Sequence, residues 1–180
     1  MKDFAKIRVK ASRHASKNPL ALFKKEVSEE EVLNSPIMWP GVMTRLMACP
    51  PTCGGAAAIL VSEKFAKKHN IDASVKILAQ SMTTDYESTF AEKDMMQLVG
   101  YDMTKEAARD VYHQTGVDVQ DVDVVELHDC FAHNELITYE ALGLCEEGEA
   151  QKFVHDGNNT FGGQFVTNPS GGLLSKGHPL

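Results

Sequence analysis

The order of apolar and polar positions predicts helices near the start of the chain. Residues 3–34 repeat apolar side chains at helical spacing, with Phe4, Ile7 and Ala11 on one face. Ser28, which a glutamate follows three residues later, fits a capping box and predicts the start of a second helix. We interpret the lysines and arginines of this segment as a solvated face, and phosphate or nucleotide binding is the alternative.

Farther along the chain, short apolar runs alternate with segments of helical spacing. The runs rich in alanine, valine and isoleucine predict strands over 56–61, 75–79 and 122–127. Helical spacing predicts helices over 63–69, 104–115 and 133–148. Strands that alternate with helices favour an α/β fold of packed layers.

Composition is typical of globular proteins and argues against some partners. Hydrophobic residues make up 43% of the 180 positions and charged residues 24%, which suits a folded core. The net charge of −7 gives no electrostatic case for binding nucleic acid or an anionic membrane. No apolar run approaches the roughly 20 residues of a membrane span. The first residues lack an apolar signal stretch, so we expect a reducing compartment.

The four cysteines show neither CxxC pairs nor the framework of a small secreted protein. Cys49 and Cys53 flank a Pro-Pro-Thr sequence, which is compatible with a weak metal or disulfide pair. We favour two thiols around a turn.

The sequence VVELHDCFAHNEL places four reactive side chains just after a predicted strand: His128, Asp129, Cys130 and His133. Ligands of α/β sheets gather at the carboxyl ends of strands. His128 could orient a water or polarise a carbonyl, and the alternative is that it caps the following helix. Metal binding is disfavoured, because His128 and Asp129 would point to opposite sides of an extended backbone. For Cys130 we favour a core thiol over a nucleophile.

A second candidate is the sequence SKGHP near residue 178. Gly177 lets the backbone approach a ligand closely, and Pro179 stiffens the other side of His178. A histidine held in this way suits general-base work on a thiol or hydroxyl. A histidine in an unstructured tail is the alternative.

Three segments together resemble one known family. VVELHDCFAHNELITYEALGL, NTFGGQFVTNPSGGLLSKGHPL and CGGAAAILVSE resemble the thiolase superfamily, specifically the thiolases of the sterol carrier protein X type. The resemblance runs from about Phe4 to Leu180. It implies cleavage or synthesis of 3-oxoacyl-CoA esters, in which a nucleophilic cysteine takes the acyl group and coenzyme A receives it. Coenzyme A and acyl-CoA are then substrates, and the resemblance implies neither a permanently bound cofactor nor a metal.

The resemblance also assigns roles to the residues of two motifs. His178 is similar to the GHP histidine that activates the cysteine. His128 stands where other thiolases have an oxyanion-hole asparagine. Four further residues line the site in this assignment: Asp129, Cys130, Phe131 and Gly177. Cys49 stands where other thiolases place a serine that contacts coenzyme A, so that contact is weakened.

The resemblance implies a thiolase-like layered α/β fold that is incomplete. Residues 1–48 would be the end of a loop (lid) domain, 49–70 the last strand and helix of the N-terminal half, and 71–180 a truncated C-terminal half. The family's nucleophilic cysteine would precede this chain, and a second catalytic cysteine, in a CxG motif, would follow it. We therefore expect a partial acyl-CoA thiolase with little or no turnover alone.

Three further expectations follow from the resemblance. The complete family fold implies a homo-oligomer. The family implies a peroxisomal location, or a cytoplasmic one if the targeting tail is absent. The alternative to a partial enzyme is a non-catalytic module of the same fold that binds acyl-CoA, lipid or another protein, and a truncated gene product is a third reading.

Overall fold

The computed structural model describes residues 1–91 and 93–179 and is a mixture of helices and short strands. The α-helices are α1 (Lys2–Ala15), α2 (Glu29–Leu33), α3 (Glu63–His69), α4 (Glu87–Ala91), α5 (Met95–Leu98), α6 (Tyr101–Thr115), α7 (Ala132–Ala141), α8 (Ala150–His155) and α9 (Gly172–Lys176). The strands are β1 (Ile37–Trp39), β2 (Met43–Thr44), β3 (Pro51–Thr52), β4 (Val124–Val125), β5 (Val166–Thr167) and β6 (His178–Pro179). The predicted α/β class is confirmed.

The strands pair two by two, and the last two strands each join a distant part of the chain. β1 and β2 form an antiparallel pair. β5 lies parallel to β4, with Val166 opposite Val124. β6 lies parallel to β3, with His178 opposite Pro51. The C-terminal segment is therefore held against both earlier strands, and this pairing positions the candidate site.

The helix predictions were more accurate than the strand predictions. The helix predicted over 63–69 is α3 without change, and α6 begins three residues before the predicted 104–115. The helix predicted over 133–148 is α7, which ends already at Ala141. The predicted capping box is present at α2, where the Ser28 hydroxyl accepts a hydrogen bond from the Glu31 amide at 3.1 Å. The Glu31 carboxylate accepts one from the Ser28 amide at 2.8 Å. These signals are local, so neighbouring residues alone could produce the structure.

Two of the three predicted strands are absent, and the third is shorter than predicted. Residues 56–61 and 75–79 form no strand. Their large apolar side chains are exposed to solvent, with Ile59 93% and Val75 92% exposed. Only Val124–Val125 of the predicted 122–127 is a strand. Apolar alternation favours an extended backbone, but a strand also needs a neighbour to accept its hydrogen bonds.

α1 lies at the centre of the packed part of the molecule. It packs against α2, α7, α8 and α9. The largest apolar side chains of the core are fully or almost fully buried: Ile7, Met47, Tyr139, Phe153, Phe165 and Leu174. No helix among the described residues is both long enough and apolar enough to cross a membrane.

The prediction of a solvated basic face is wrong for Arg8 and Lys10 of α1, whereas Lys2 and Arg13 are exposed as predicted. Arg8 is 2% exposed and Lys10 is 5% exposed. The Lys10 ammonium pairs with the fully buried carboxylate of Glu135 and donates to the Thr167 hydroxyl at 2.7 Å. Because other elements cover this side of α1, Arg8 and Lys10 are buried, and a buried cation needs such partners.

Candidate functional site

Residues 48–52 bring the two predicted histidine motifs together. On one side, Ala48 forms an antiparallel bridge with Phe131, and the Cys49 amide donates to the Cys130 carbonyl at 2.9 Å. On the other side, the His178 amide donates to the Pro50 carbonyl at 3.1 Å. The sequence placed both motifs in the site, but it did not indicate which segment would join them.

The imidazoles of His128 and His178 are direct neighbours. Their ring centroids are 5.2 Å apart, and the rings meet edge to face at 82°. Partial burial lowers the pKa of His128, and the neighbouring His178 lowers it further. His128 is therefore neutral at pH 7 and can donate one hydrogen bond from a ring nitrogen.

A hydrogen bond to its backbone carbonyl holds His128 in place. The Asn134 side-chain amide, from the first turn of α7, donates to the His128 carbonyl at 2.7 Å. The residue that caps α7 is Phe131, so His128 does not cap that helix. Phe131 remains 41% exposed at this edge. The ring of His128 is thus free for contacts in the site, while its backbone is fixed.

Asp129 lies behind the site and does not line it. Its side chain is fully buried, and one carboxylate oxygen accepts a hydrogen bond from the Leu173 amide at 2.6 Å. Burial raises the pKa of Asp129 to about 7, with a smaller contribution from the charge of Glu135. Asp129 thus links the segment of His128 to α9, which leads to His178.

Two glycines allow the close approaches that this arrangement needs. Gly172 has φ +58°, and a Cβ there would lie 2.0 Å from the second carboxylate oxygen of Asp129. Gly177 has φ +113°, and a Cβ there would lie 2.6 Å from the Thr52 methyl carbon. A side chain at either position would force the segment of His178 away from its neighbours.

Two buried side chains of α1, Arg8 and His14, hold the same segment from the opposite side. Arg8 donates to the Ser175 hydroxyl at 2.5 Å, and Nδ1 of His14 lies 3.0 Å from the Asn168 carbonyl oxygen. Burial lowers the pKa of Arg8 to about 10 and also lowers the pKa of His14. The sequence prediction missed these positioning residues. The available signal was helical spacing, because Arg8 follows Phe4 by four residues and His14 follows Ala11 by three, on the side that the apolar residues mark.

The thiols near the site are not activated. Burial raises the pKa of Cys49 and of Cys130, so both are protonated at neutral pH. Burial, with three neighbouring glutamates, raises the pKa of Cys145 to about 12. Cys130 is only partly buried, so it is not the core thiol that the sequence predicted.

His133 is separate from the two-histidine site. Its ring lies on Phe4 with centroids 3.8 Å apart, and its Nε2 lies 3.1 Å from the Val42 carbonyl oxygen. Over residues 1–91 and 93–179, no three or more His, Cys, Asp or Glu side chains are grouped so that they could hold a metal ion.

Comparisons with known proteins identify the family of this chain. The family described as "Thiolase C-terminal domain-like" matches residues 84–180. Sterol carrier protein 2 of Bos taurus is 53% identical over 181 residues, which cover 100% of this chain and 33% of that protein. The benzoylsuccinyl-CoA thiolase subunit BbsB of Thauera aromatica is 42% identical over 178 residues, which cover 99% of this chain and 45% of that protein.

A solved structure shares the fold over almost the whole chain. The structure described as "Ltp2-ChsH2(DUF35) aldolase" matches with a TM-score of 0.78 and 26% identity, and the match covers 98% of this chain and 46% of that chain. This chain spans about a third of the length of sterol carrier protein 2. The family match, the relatives and the shared fold establish that the chain belongs to the thiolase superfamily, with its C-terminal part in the thiolase C-terminal domain-like family.

Proposed function

We propose that this chain carries the two-histidine part of an acyl-CoA site of the thiolase type. The observation that carries the proposal is the edge-to-face pair of His128 and His178, with centroids 5.2 Å apart. Relatives named as a thiolase subunit and as a sterol carrier protein support a thioester or lipid ligand. The substrate class in this proposal is a 3-oxoacyl-CoA ester.

In this proposal each histidine does a different part of the acyl transfer. His178 accepts the proton of an attacking thiol, whose sulfur then adds to the carbonyl carbon of the thioester. Negative charge develops on the carbonyl oxygen, and the neutral ring of His128 donates a hydrogen bond to it. Loss of one such donor typically raises the barrier by about 2.7–4 kcal/mol. The raised pKa values of Cys49 and Cys130 argue against either as that thiol.

Binding and mass measurements on the whole chain test the proposal. Titration calorimetry with a 3-oxoacyl-CoA should give saturable binding that His128→Ala and His178→Ala weaken. His113→Ala, on the exposed surface of α6, serves as the matched control and should bind normally. With free coenzyme A present, the intact mass should stay unmodified. A stable acyl adduct on a cysteine of the chain, or equal binding by all variants, would contradict the assignment.

A non-catalytic lipid-binding module is the second candidate. It is favoured by the relative named sterol carrier protein 2 and by the protonated thiols beside the histidines. Competition separates the two. If free fatty acid displaces a 3-oxoacyl-CoA and free coenzyme A does not, the lipid chain is the bound part. If free coenzyme A displaces it, the nucleotide part is recognised, as the thiolase proposal requires.

The proposal extends to assembly and location. Open apolar side chains such as Ile59, Leu60 and Val75 support contact with further protein, and we propose a homo-oligomer. Analytical ultracentrifugation of the chain tests this, because a single species of monomer mass over a wide concentration range would contradict it. A peroxisomal location is proposed from the family resemblance, and fluorescence microscopy of the tagged protein tests it.

A further inference from the structure

We infer that Cys49 and Cys130 form a dithiol site that a peroxide can close to a disulfide. Neither the family match nor the proposed acyl transfer assigns this modification. The inference rests on backbone register. Ala48 and Phe131 are bridge partners in an antiparallel pair, so the next residue of one segment faces the preceding residue of the other. Cys49 therefore lies directly opposite Cys130, and its amide donates to the Cys130 carbonyl at 2.9 Å.

This register places the two side chains within reach of each other. Directly opposed residues of an antiparallel pair project to the same face, with Cα atoms about 5.5 Å apart when they are hydrogen-bonded. Disulfides form across Cα separations of roughly 4.4–6.8 Å. Cys130 also affects the ionisation of Cys49, because the pKa of Cys49 is raised first by burial and then by Cys130. Both thiols are free and partly exposed, so a small oxidant can reach them.

The structure disfavours the pairing of Cys49 with Cys53. β3 lies between Cys49 and Cys53, and four residues of extended backbone span about 13 Å, well beyond disulfide reach. Cys145 follows α7, where its acidic neighbours are Glu140, Glu146 and Glu149. The sequence favours two thiols around a turn over a Cys49–Cys53 pair. The residues between them form β3 and not a turn, and Cys130 is the thiol that lies opposite Cys49.

The chemistry balances with hydrogen peroxide as the oxidant. One thiolate attacks the O–O bond, which yields a sulfenic acid and, with one proton, a water molecule. The second thiol attacks the sulfenic sulfur, forms the S–S bond and releases a second water. Two electrons pass from the thiols to the peroxide. Because burial raises the pKa of both thiols, closure should be slow at pH 7 and faster at pH 9.

The cross-link would lie inside the candidate site. Cys130 is two residues from His128, and Cys49 precedes Pro50, whose carbonyl anchors His178. Closure would therefore shift the two imidazoles, which the 1H NMR signals of the histidine rings would report. This readout does not depend on acyl-CoA binding. The disulfide inference can therefore fail while the proposed function stands, and the proposed function can fail while the disulfide inference stands.

The test uses the whole chain, treated with hydrogen peroxide at pH 7 and pH 9 and then alkylated with N-ethylmaleimide. In the monomer fraction, intact mass should show two fewer maleimide groups, and peptide mapping should give one linked peptide containing Cys49 and Cys130. Cys49→Ser and Cys130→Ser should abolish that product, and Cys145→Ser, the matched control, should keep it. Four maleimide groups after oxidation at pH 9, or a link to Cys53 or Cys145, would overturn the inference on wild-type protein alone.

Discussion

Replacing Lys10 by methionine tests whether the buried contacts of α1 stabilise the segment that leads to His178. Lys10 pairs with Glu135, and the two side chains are 6% and 0% exposed. The Lys10 ammonium also donates to the Thr167 hydroxyl at 2.7 Å. Methionine keeps most of the side-chain length but leaves the Glu135 carboxylate buried without a counter-charge. Breaking a buried pair in this way costs about 3–5 kcal/mol.

A second substitution separates the charge effect from lost packing. Glu135→Gln keeps an oxygen that can accept from the Tyr139 hydroxyl, which now lies 2.5 Å from Glu135, and removes the charge. The double variant Lys10→Met/Glu135→Gln should therefore be more stable than Lys10→Met alone. A coupling free energy of about 0.5–3 kcal/mol is expected for neighbours in one network.

Urea unfolding followed by circular dichroism at 222 nm measures both effects, because α1 and α7 contribute helical signal. The matched control is Lys25→Met, which breaks the ion pair of Lys25 with Glu31, whose side chains are 81% and 47% exposed. Exposed pairs contribute about 0–1 kcal/mol. If Lys10→Met were as stable as Lys25→Met, the conclusion that buried contacts of α1 stabilise the segment that leads to His178 would be refuted.

Three further predictions concern the segments around the histidines. Gly172→Ala should lower the free energy of unfolding by about 2–4 kcal/mol, because its Cβ would lie 2.0 Å from Asp129. The control Gly143→Ala, where φ is +73° and no atom lies within 4 Å, should lower the free energy of unfolding by less in the same urea assay. The folded pKa of Asp129, about 7, lies above its usual value of 3.8, so its contribution to stability falls as pH rises from 4 to 7. Relative to wild type, the free energy of unfolding of Asp129→Asn should therefore rise by up to about 4 kcal/mol between pH 4 and pH 7, as measured by urea unfolding at each pH. A difference between the two proteins that stays constant with pH would contradict the raised pKa. His178→Ala should raise the pKa of His128 in an NMR titration, but only in part, because burial is the larger cause of its lowering; an unchanged value would mean that the rings do not interact.

The two histidine motifs show how far the sequence alone predicted the site. The HDCF and GHP sequences identified His128 and His178 as candidates because each follows a recognisable local pattern. Their distance from each other could not be predicted, since it depends on pairing with residues 48–52, which lie far from both along the chain. The same pairing set Cys49 opposite Cys130, a relation that no spacing in the sequence indicates.

Local signals and long-range contacts divide the fold in the same way. The sequence by itself determined the capping box of α2, the bounds of α3 and the α/β class, because each depends on residues within a few positions of one another. Tertiary structure decided which apolar runs became strands and which basic residues of α1 were buried. Residues 56–61 have the sequence pattern of a strand but pair with no other strand. Lys10 is charged, which is typical of a surface residue, but it is buried. The physical reason is that strand hydrogen bonds and burial both need a neighbour, and only the folded chain supplies it.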